Sequence, residues 1–123
     1  MTFIALTLFE GIRSITSPLV QPEAQLRENL LKEIPLGTQM NNVIQIIKSN
    51  RDWAIDGIDY EHGFRRSGSG ENEIIGEKSI RLSLGDYRII SNYYFITDVS
   101  VFFSFNVNDQ LIEIWVWKTT DGL

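Results

Sequence analysis

Residues Asp98 to Trp117, DVSVFFSFNVNDQLIEIWVW, decide how the rest of the chain is read. Val99, Val101, Phe103 and Phe105 alternate with Ser100, Phe102 and Ser104, the period-two pattern of a half-buried strand. Asn106 to Asp109 reads as a turn, because Asn and Asp side chains bond nearby backbone and tolerate unusual dihedrals. Leu111 to Trp117 is β-branched and aromatic and suits a second strand. Together the two arms predict a β-hairpin. A four-residue loop, 106–109, sets Phe105 opposite Gln110, Phe103 opposite Ile112, Val101 opposite Ile114 and Val99 opposite Val116. A five-residue loop sets Val101 against Trp115 instead. The first register is preferred because it separates Glu113 and the serines from the aliphatic side chains. It gives one aliphatic core face, and it sends Phe102, Trp115 and Trp117 to the second face with Ser100 and Glu113.

Upstream of the hairpin, Ser79 to Leu84 alternates cleanly, with Ile80, Leu82 and Leu84 toward the core and Arg81 outward beside Ser79 and Ser83. Gly85-Asp86 reads as a turn, and Arg88 to Ile90 as an extension of the strand set. From Glu61 to Gly76 the chain is polar and rich in Gly and Ser, which predicts a mobile loop or a hairpin tip with little to bury. The same stretch is expected to be dispensable for folding between Arg65 and Glu73. Trp53 to Ile55 and Ile58 to Tyr60 read as two short strand pieces around Gly57, or as one bent strand with Gly57 at a bulge or kink.

Two helices come before the strands. Pro22 suits a first turn, and Leu26, Leu30, Leu31 and Ile34 form a stripe at helical spacing. Pro35 and Gly37 stop that helix. Thr38 is the expected N-cap of the next, whose Met40, Val43, Ile44 and Ile47 share one face. An alternating strand needs one buried face, and these two helices can cover it. The expected fold is therefore α+β: two N-terminal helices packed on one face of a three- or four-stranded antiparallel sheet, forming a single domain over residues 22–123. Residues 1–21 are an apolar segment and linker. The run 2–9, TFIALTLF, is too short to span a bilayer and lacks the basic start of a signal peptide, the first basic residue being Arg13. It reads as a packed strand or short helix, a degenerate signal segment, or an exposed sticky end.

The chain has 123 residues, 43% hydrophobic and 22% charged, which fits one domain with one core. Its net charge of -5 argues against a nucleic-acid surface, which needs a basic patch, and favours a basic protein partner. With no Cys, disulfides, thiol catalysis, Cys-ligated zinc and a lipidated cysteine are excluded in this sequence.

Chemistry-bearing patterns are sparse. His62 is the single histidine and has no evident nucleophile, although Asp59 and Glu61 lie close in sequence. Asp52, Asp56, Asp59 and Glu61 lack calcium-loop spacing, and Gly68-Ser69-Gly70 lacks the rest of a phosphate-binding fingerprint. No G-x-S-x-G elbow occurs. The expectation is a protein without catalytic residues, metal or cofactor.

The helix start Leu36-Gly37-Thr38-Gln39-Met40, continuing to Val43 and Ile47, and the late hairpin VFFSFNVNDQLIEIWVWK resemble the SmpA/OmlA-type (BamE-like) domain, which shares its architecture with β-lactamase-inhibitor-protein-like modules. The resemblance covers roughly Pro22 to Lys118. It implies a non-catalytic bacterial module that binds other proteins through the open face of its sheet. Many such domains are held in the envelope on a lipidated cysteine; lacking Cys, this chain is not expected to be lipid-anchored, in envelope or cytoplasm.

The residues themselves point to the same function. Phe102, Trp115 and Trp117, flanked by Arg81 and Glu113, have the make-up of a partner-binding centre with a polar rim. A further layer over these rings, such as the N-terminal segment, is the competing expectation. Two other functions stay open. One is a small-molecule or hydrolytic pocket near Tyr60, His62 and Tyr87. The other is an immunity-type protein that neutralises a basic toxin.

Overall fold

The computed structural model describes residues 18–66, 73–88 and 95–122. A short 3-10 turn, Pro18–Val20, leads to helix α1, Glu23–Glu33, and helix α2, Met40–Lys48. Six strands follow: β1 Ala54–Asp59, β2 Phe64–Arg66, β3 Glu73–Ile75, β4 Lys78–Arg88, β5 Phe95–Phe105 and β6 Leu111–Gly122. Four of them form an antiparallel sheet in the order β1-β4-β5-β6, and β2 and β3 pair as a separate small hairpin. The α+β class and the placement of both helices on one sheet face are as the sequence predicts.

The core lies between the helices and that face. Leu26, Leu30, Ile34, Met40, Val43 and Ile47 from the helices meet Ile80, Leu82, Val99, Val101, Phe103, Phe105, Leu111, Ile114 and Val116 from the sheet, all buried. The helical stripes therefore do what their spacing implies. Their caps differ from expectation. Thr38 does not cap α2; its hydroxyl donates to the Pro35 carbonyl at 2.6 Å. The helix starts at Gln39 and Met40, and Met40 N–H donates to the Asp109 carbonyl at 2.8 Å. A backbone bridge joins Gln39 to Gln110. The helix N-terminus is thus satisfied by the hairpin turn rather than by its own side chain.

The hairpin forms, but in neither register considered above. Phe105 pairs with Leu111, and from Ser104 onward the pairing slips by one: Ser104 with Glu113, Phe103 with Ile114, Phe102 with Trp115, Val101 with Val116 and Ser100 with Trp117. Ile112 is the extra residue of a β-bulge. It is 41% exposed, while Leu111 and Ile114 on either side are buried. The cause lies in the turn. Asn106 Oδ1 accepts from the N–H groups of Asn108 and Gln110, and Asp109 adopts φ 63°. These contacts extend the loop through Gln110, and the bulge then restores the phase that keeps Ile114 and Val116 inside. The separation of faces held except at Ile112, which was expected on the core face; the cross-strand partners did not hold.

Two other bulges bend the sheet. β1 shifts between Ile55 and Gly57, as the bent-strand reading anticipates, with Asp56 as the extra residue. In β4 the shift lies between Ser83 and Gly85, and the strand runs on to Arg88 instead of turning at Gly85-Asp86. Gly85 sits at φ 115°, which only glycine takes without strain, so the residue absorbs the bulge within the strand. Residues 89–94 lie outside the described residues.

The stretch Glu61–Gly76 is not without burial. Phe64 pairs with Ile75, Arg65 with Ile74 and Arg66 with Glu73, and Phe64 is only 4% exposed. Of the two sequence readings, the hairpin is the one formed; its tip, 67–72, lies outside the described residues. Its return strand passes so close over β5 that a Cβ on Gly76 would lie 2.1 Å from Ser104 Oγ.

The bulge makes a sharp mutational contrast. Ile114→Ala and Phe103→Ala are expected to destabilise by roughly 2–5 kcal/mol each, whereas Ile112→Thr should change stability by no more than about 0.5 kcal/mol. Urea unfolding of the three variants checks this; equal losses at Ile112 and Ile114 would return the hairpin to a regular register.

Candidate functional site

The second face of the sheet carries the candidate site. Outward positions of four neighbouring strands meet there: Gly57 and Asp59 on β1, Ser79 and Arg81 on β4, Phe102 on β5, and Trp115 and Trp117 on β6. With Ile58, Phe64 and Arg65 they line an open groove of about 470 Å³. That volume is in the range of ligand sites.

Its floor is a row of stacked rings. Phe102 and Trp115 stack at 5.1 Å between centroids, and Trp115 and Trp117 at 5.5 Å and 13° between planes. Phe64 comes down from β2 onto both Phe102, at 5.6 Å, and Trp115, at 5.8 Å. The row therefore has a covered end under Phe64 and an open end at Trp117, which is 36% exposed. Neither an entirely open platform nor an entirely covered one, as posed from sequence, describes it. Residues 1–17, the other candidate cover, lie outside the described residues.

Arg81 lies in the register position opposite Phe102, with its guanidinium carbon 5.5 Å from the ring centroid. The positive charge over the π face is a favourable contact and holds the arginine beside the aromatic row. Its Nε also lies 3.8 Å from Asp56 on the β1 bulge. Four of the five site residues read from sequence, Arg81, Phe102, Trp115 and Trp117, thus converge.

Glu113 does not join them in the groove. The bulge at Ile112 places it at the sheet margin, where Arg27 of α1 donates to it at 2.7 Å and Arg66 of β2 stands 3.6 Å away. It also accepts from the Ile114 N–H at 2.9 Å. Partial burial pushes its pKa up, but the Arg27 and Ile114 hydrogen bonds and the charges of Arg27 and Arg66 outweigh that and hold it below the ordinary glutamate value. Glu113 is a clasp between helix, hairpin and sheet. Phe64 was missed at the sequence level because it sits alone among polar residues; its signal was only a lone aromatic beside Gly63.

Tyr60, His62 and Tyr87 do not share a pocket. Tyr60 and His62 follow the end of β1, next to Ser79, and are exposed. Tyr87 is eight residues further along β4, about 26 Å at strand rise, and packs against the core side with Lys118 Nζ 5.0 Å from its ring. His62 Nδ1 does lie 3.3 Å from Asp59 Oδ1. The hydrogen bonds from the N–H of Glu61 hold Asp59 low first, partial desolvation opposes them, and the His62 N–H and ring add to the lowering. A carboxylate beside an imidazole is half of a general-base arrangement. Ser79 Oγ, however, donates to the His62 main-chain carbonyl at 3.0 Å and not to its ring, so Ser79 is not aligned as a nucleophile. Among the described residues no group of three or more His, Asp or Glu is placed to hold a metal ion, and no helix is long and apolar enough to cross a membrane.

Comparison with known proteins found no match to the chain among protein-family models, curated proteins or solved structures.

The Glu113 clasp has a pH signature. At neutral pH Glu113→Gln is expected to cost about 1 kcal/mol, the size of a partly shielded charge-assisted hydrogen bond. The folded carboxyl titrates below its ordinary value, so its contribution is complete above that ordinary value and is lost as pH falls through the lower, folded one. The urea-midpoint gap between wild type and variant should close in acid; a gap independent of pH would show that the charge is not what holds the clasp.

Proposed function

We propose that the chain is a non-catalytic protein-binding module, inhibitor-like in its use of a sheet face, bacterial in origin and BamE-like in build. The observation that carries this reading is the aromatic row whose open end, Trp117, borders a groove rimmed by both signs of charge. Trp and Arg are the side chains that most often dominate protein interfaces, because they offer large contact area for few frozen torsions. A ring of polar groups around such a centre excludes water from it. Arg81, Asp59 and Ser79 stand in that position. Ser79, the hydroxyl beside His62, donates to its main-chain carbonyl and not to its ring, which gives the hydrolytic alternative no support. The immunity-type alternative keeps one specific support, the exposed acidic residues on and beside β1, Asp56, Asp59 and Glu61, and it is compatible with the same binding face.

Trp117→Ala is the discriminating variant, since that ring lies at the exposed end of the row. It should lower affinity for a partner recovered from native extract by about 2 kcal/mol or more, roughly thirtyfold, with a loss of folding stability below about 1 kcal/mol. Trp115→Ala should reduce both, because its ring is stacked on three others. Binding unaffected by Trp117→Ala and by Arg81→Ala would remove the face from consideration.

A further inference from the structure

We infer that the outer edge of β1 accepts an extended segment of a partner protein as an added strand, and that this segment alternates apolar residues with Lys or Arg. The inference rests on the protein-binding reading above and specifies how the partner is held. A sheet of four strands has two edges, and in this fold they are treated differently. The β6 edge is occupied. Helix α1 lies along it, Arg27 Nε donates to the Ile114 carbonyl at 2.9 Å, and the Glu23 carboxylate accepts from the Lys118 N–H at 3.3 Å. The β1 edge is bare: among the described residues, no strand and no backbone hydrogen bond from another element reaches it. Unpaired edge groups are a template for another chain.

The side chains of β1 define what such a chain must carry. Ile55 and Ile58 point to the core side, pairing with Leu82 and Ile80, yet both are only half-buried. Apolar residues in one phase of an added strand would complete their cover. On the other face Ala54, Gly57 and Asp59 are exposed, and nothing lies within 4 Å of a Cβ placed on Gly57. The second phase of the added strand meets open space there, beside the carboxylates of Asp56 and Asp59, whose side chains are 44% and 48% exposed. Charge complementarity selects Lys or Arg at those positions. The same carboxylates oppose a second copy of this chain, because antiparallel pairing of β1 with itself would gather Asp56 and Asp59 of both copies along one short stretch. The Asp56 bulge twists the edge and further limits indiscriminate pairing.

Fluorescence anisotropy on the full chain tests this with a labelled octapeptide alternating Lys and Val. Two control peptides accompany it, one alternating Glu and Val, the other the Lys–Val sequence N-methylated at every second residue on its pairing edge. The Lys–Val peptide should bind, and each control should bind about tenfold or more weakly, since one removes charge pairing and the other main-chain hydrogen bonds. Asp56→Lys should weaken the Lys–Val peptide about tenfold with an unchanged melting temperature. Trp117→Ala should leave peptide binding intact, so failure of the aromatic-face reading and failure of the edge are separable. Equal binding of the N-methylated peptide, or no binding of the Lys–Val peptide, overturns the inference. So does slow hydrogen exchange of the β1 edge amides in the free chain. Slow exchange independent of concentration would assign the edge to residues 1–17, and concentration-dependent protection would assign it to a second copy.

Discussion

The turn between β5 and β6 is the constraint on which the other elements depend. Asn106 closes it from inside. Its Oδ1 accepts two backbone N–H groups, and its Nδ2 donates to Gln110 Oε1 at 3.0 Å. Asp109, at φ 63°, then ties the turn outward, its carboxylate to Lys78 on β4 and its carbonyl to the start of α2. Gly37 N–H donates to the Leu111 carbonyl and Leu111 N–H to the Thr38 carbonyl, so the link between the helices is laced to the first residue of β6. A loop one residue longer or shorter, with no compensating bulge, would turn the opposite face of β6 to the core, because strand side chains alternate with period two. The turn from Asn106 to Leu111 therefore fixes the phase of the tryptophans and ties the start of α2 to the sheet.

The two faces of the sheet carry different energetic loads. The helix-covered face is almost wholly apolar and holds most of the buried area. The other face contains a cost. Ser104 Oγ is buried under Gly76 with no hydrogen-bond partner among the described residues, a penalty of about 1–3 kcal/mol. What opposes it is the descent of the β2–β3 hairpin that causes it. That hairpin buries Phe64 against two rings, and such ring pairs add about 0.5–1.5 kcal/mol each beyond their area. Arg66 ties the same hairpin to β6 through Glu113 and links its two strands through Glu73.

Legibility in the sequence followed the strength of the repeating pattern. The helical stripes at Leu26, Leu30 and Ile34 and at Met40, Val43 and Ile47 are long enough that tertiary context could not override them, and the alternation from Ile80 to Leu84 and from Val99 to Phe105 is equally firm. Bulges were the weak point. Leu111, Ile112 and Ile114 are all aliphatic, so apolar character alone does not say which one is spare; only the Asn106 hydrogen bonds decide. The same limit moved Glu113 from the groove to the clasp. Phe64 was hidden for a different reason. Its burial depends on Phe102 and Trp115, both distant in sequence, and no local period announces it. The convergence of Arg81 with Phe102, Trp115 and Trp117 was readable because all four depend only on the alternation of regular strands.

Stacking also decides how the aromatic row can be used. Trp115 stacks on Phe64, Phe102 and Trp117, so its ring is engaged within the row, and the contact area left to a partner lies toward Trp117. The groove beside the row is bounded by β1, the one bare edge of the sheet among the described residues. On the proposed reading, a single extended segment could pair its backbone with β1 while the surface that follows it in the partner reaches Arg81 and Trp117. The face and the edge would then act as one recognition surface, joined by Gly57 and Asp59, which belong to β1 and line the groove.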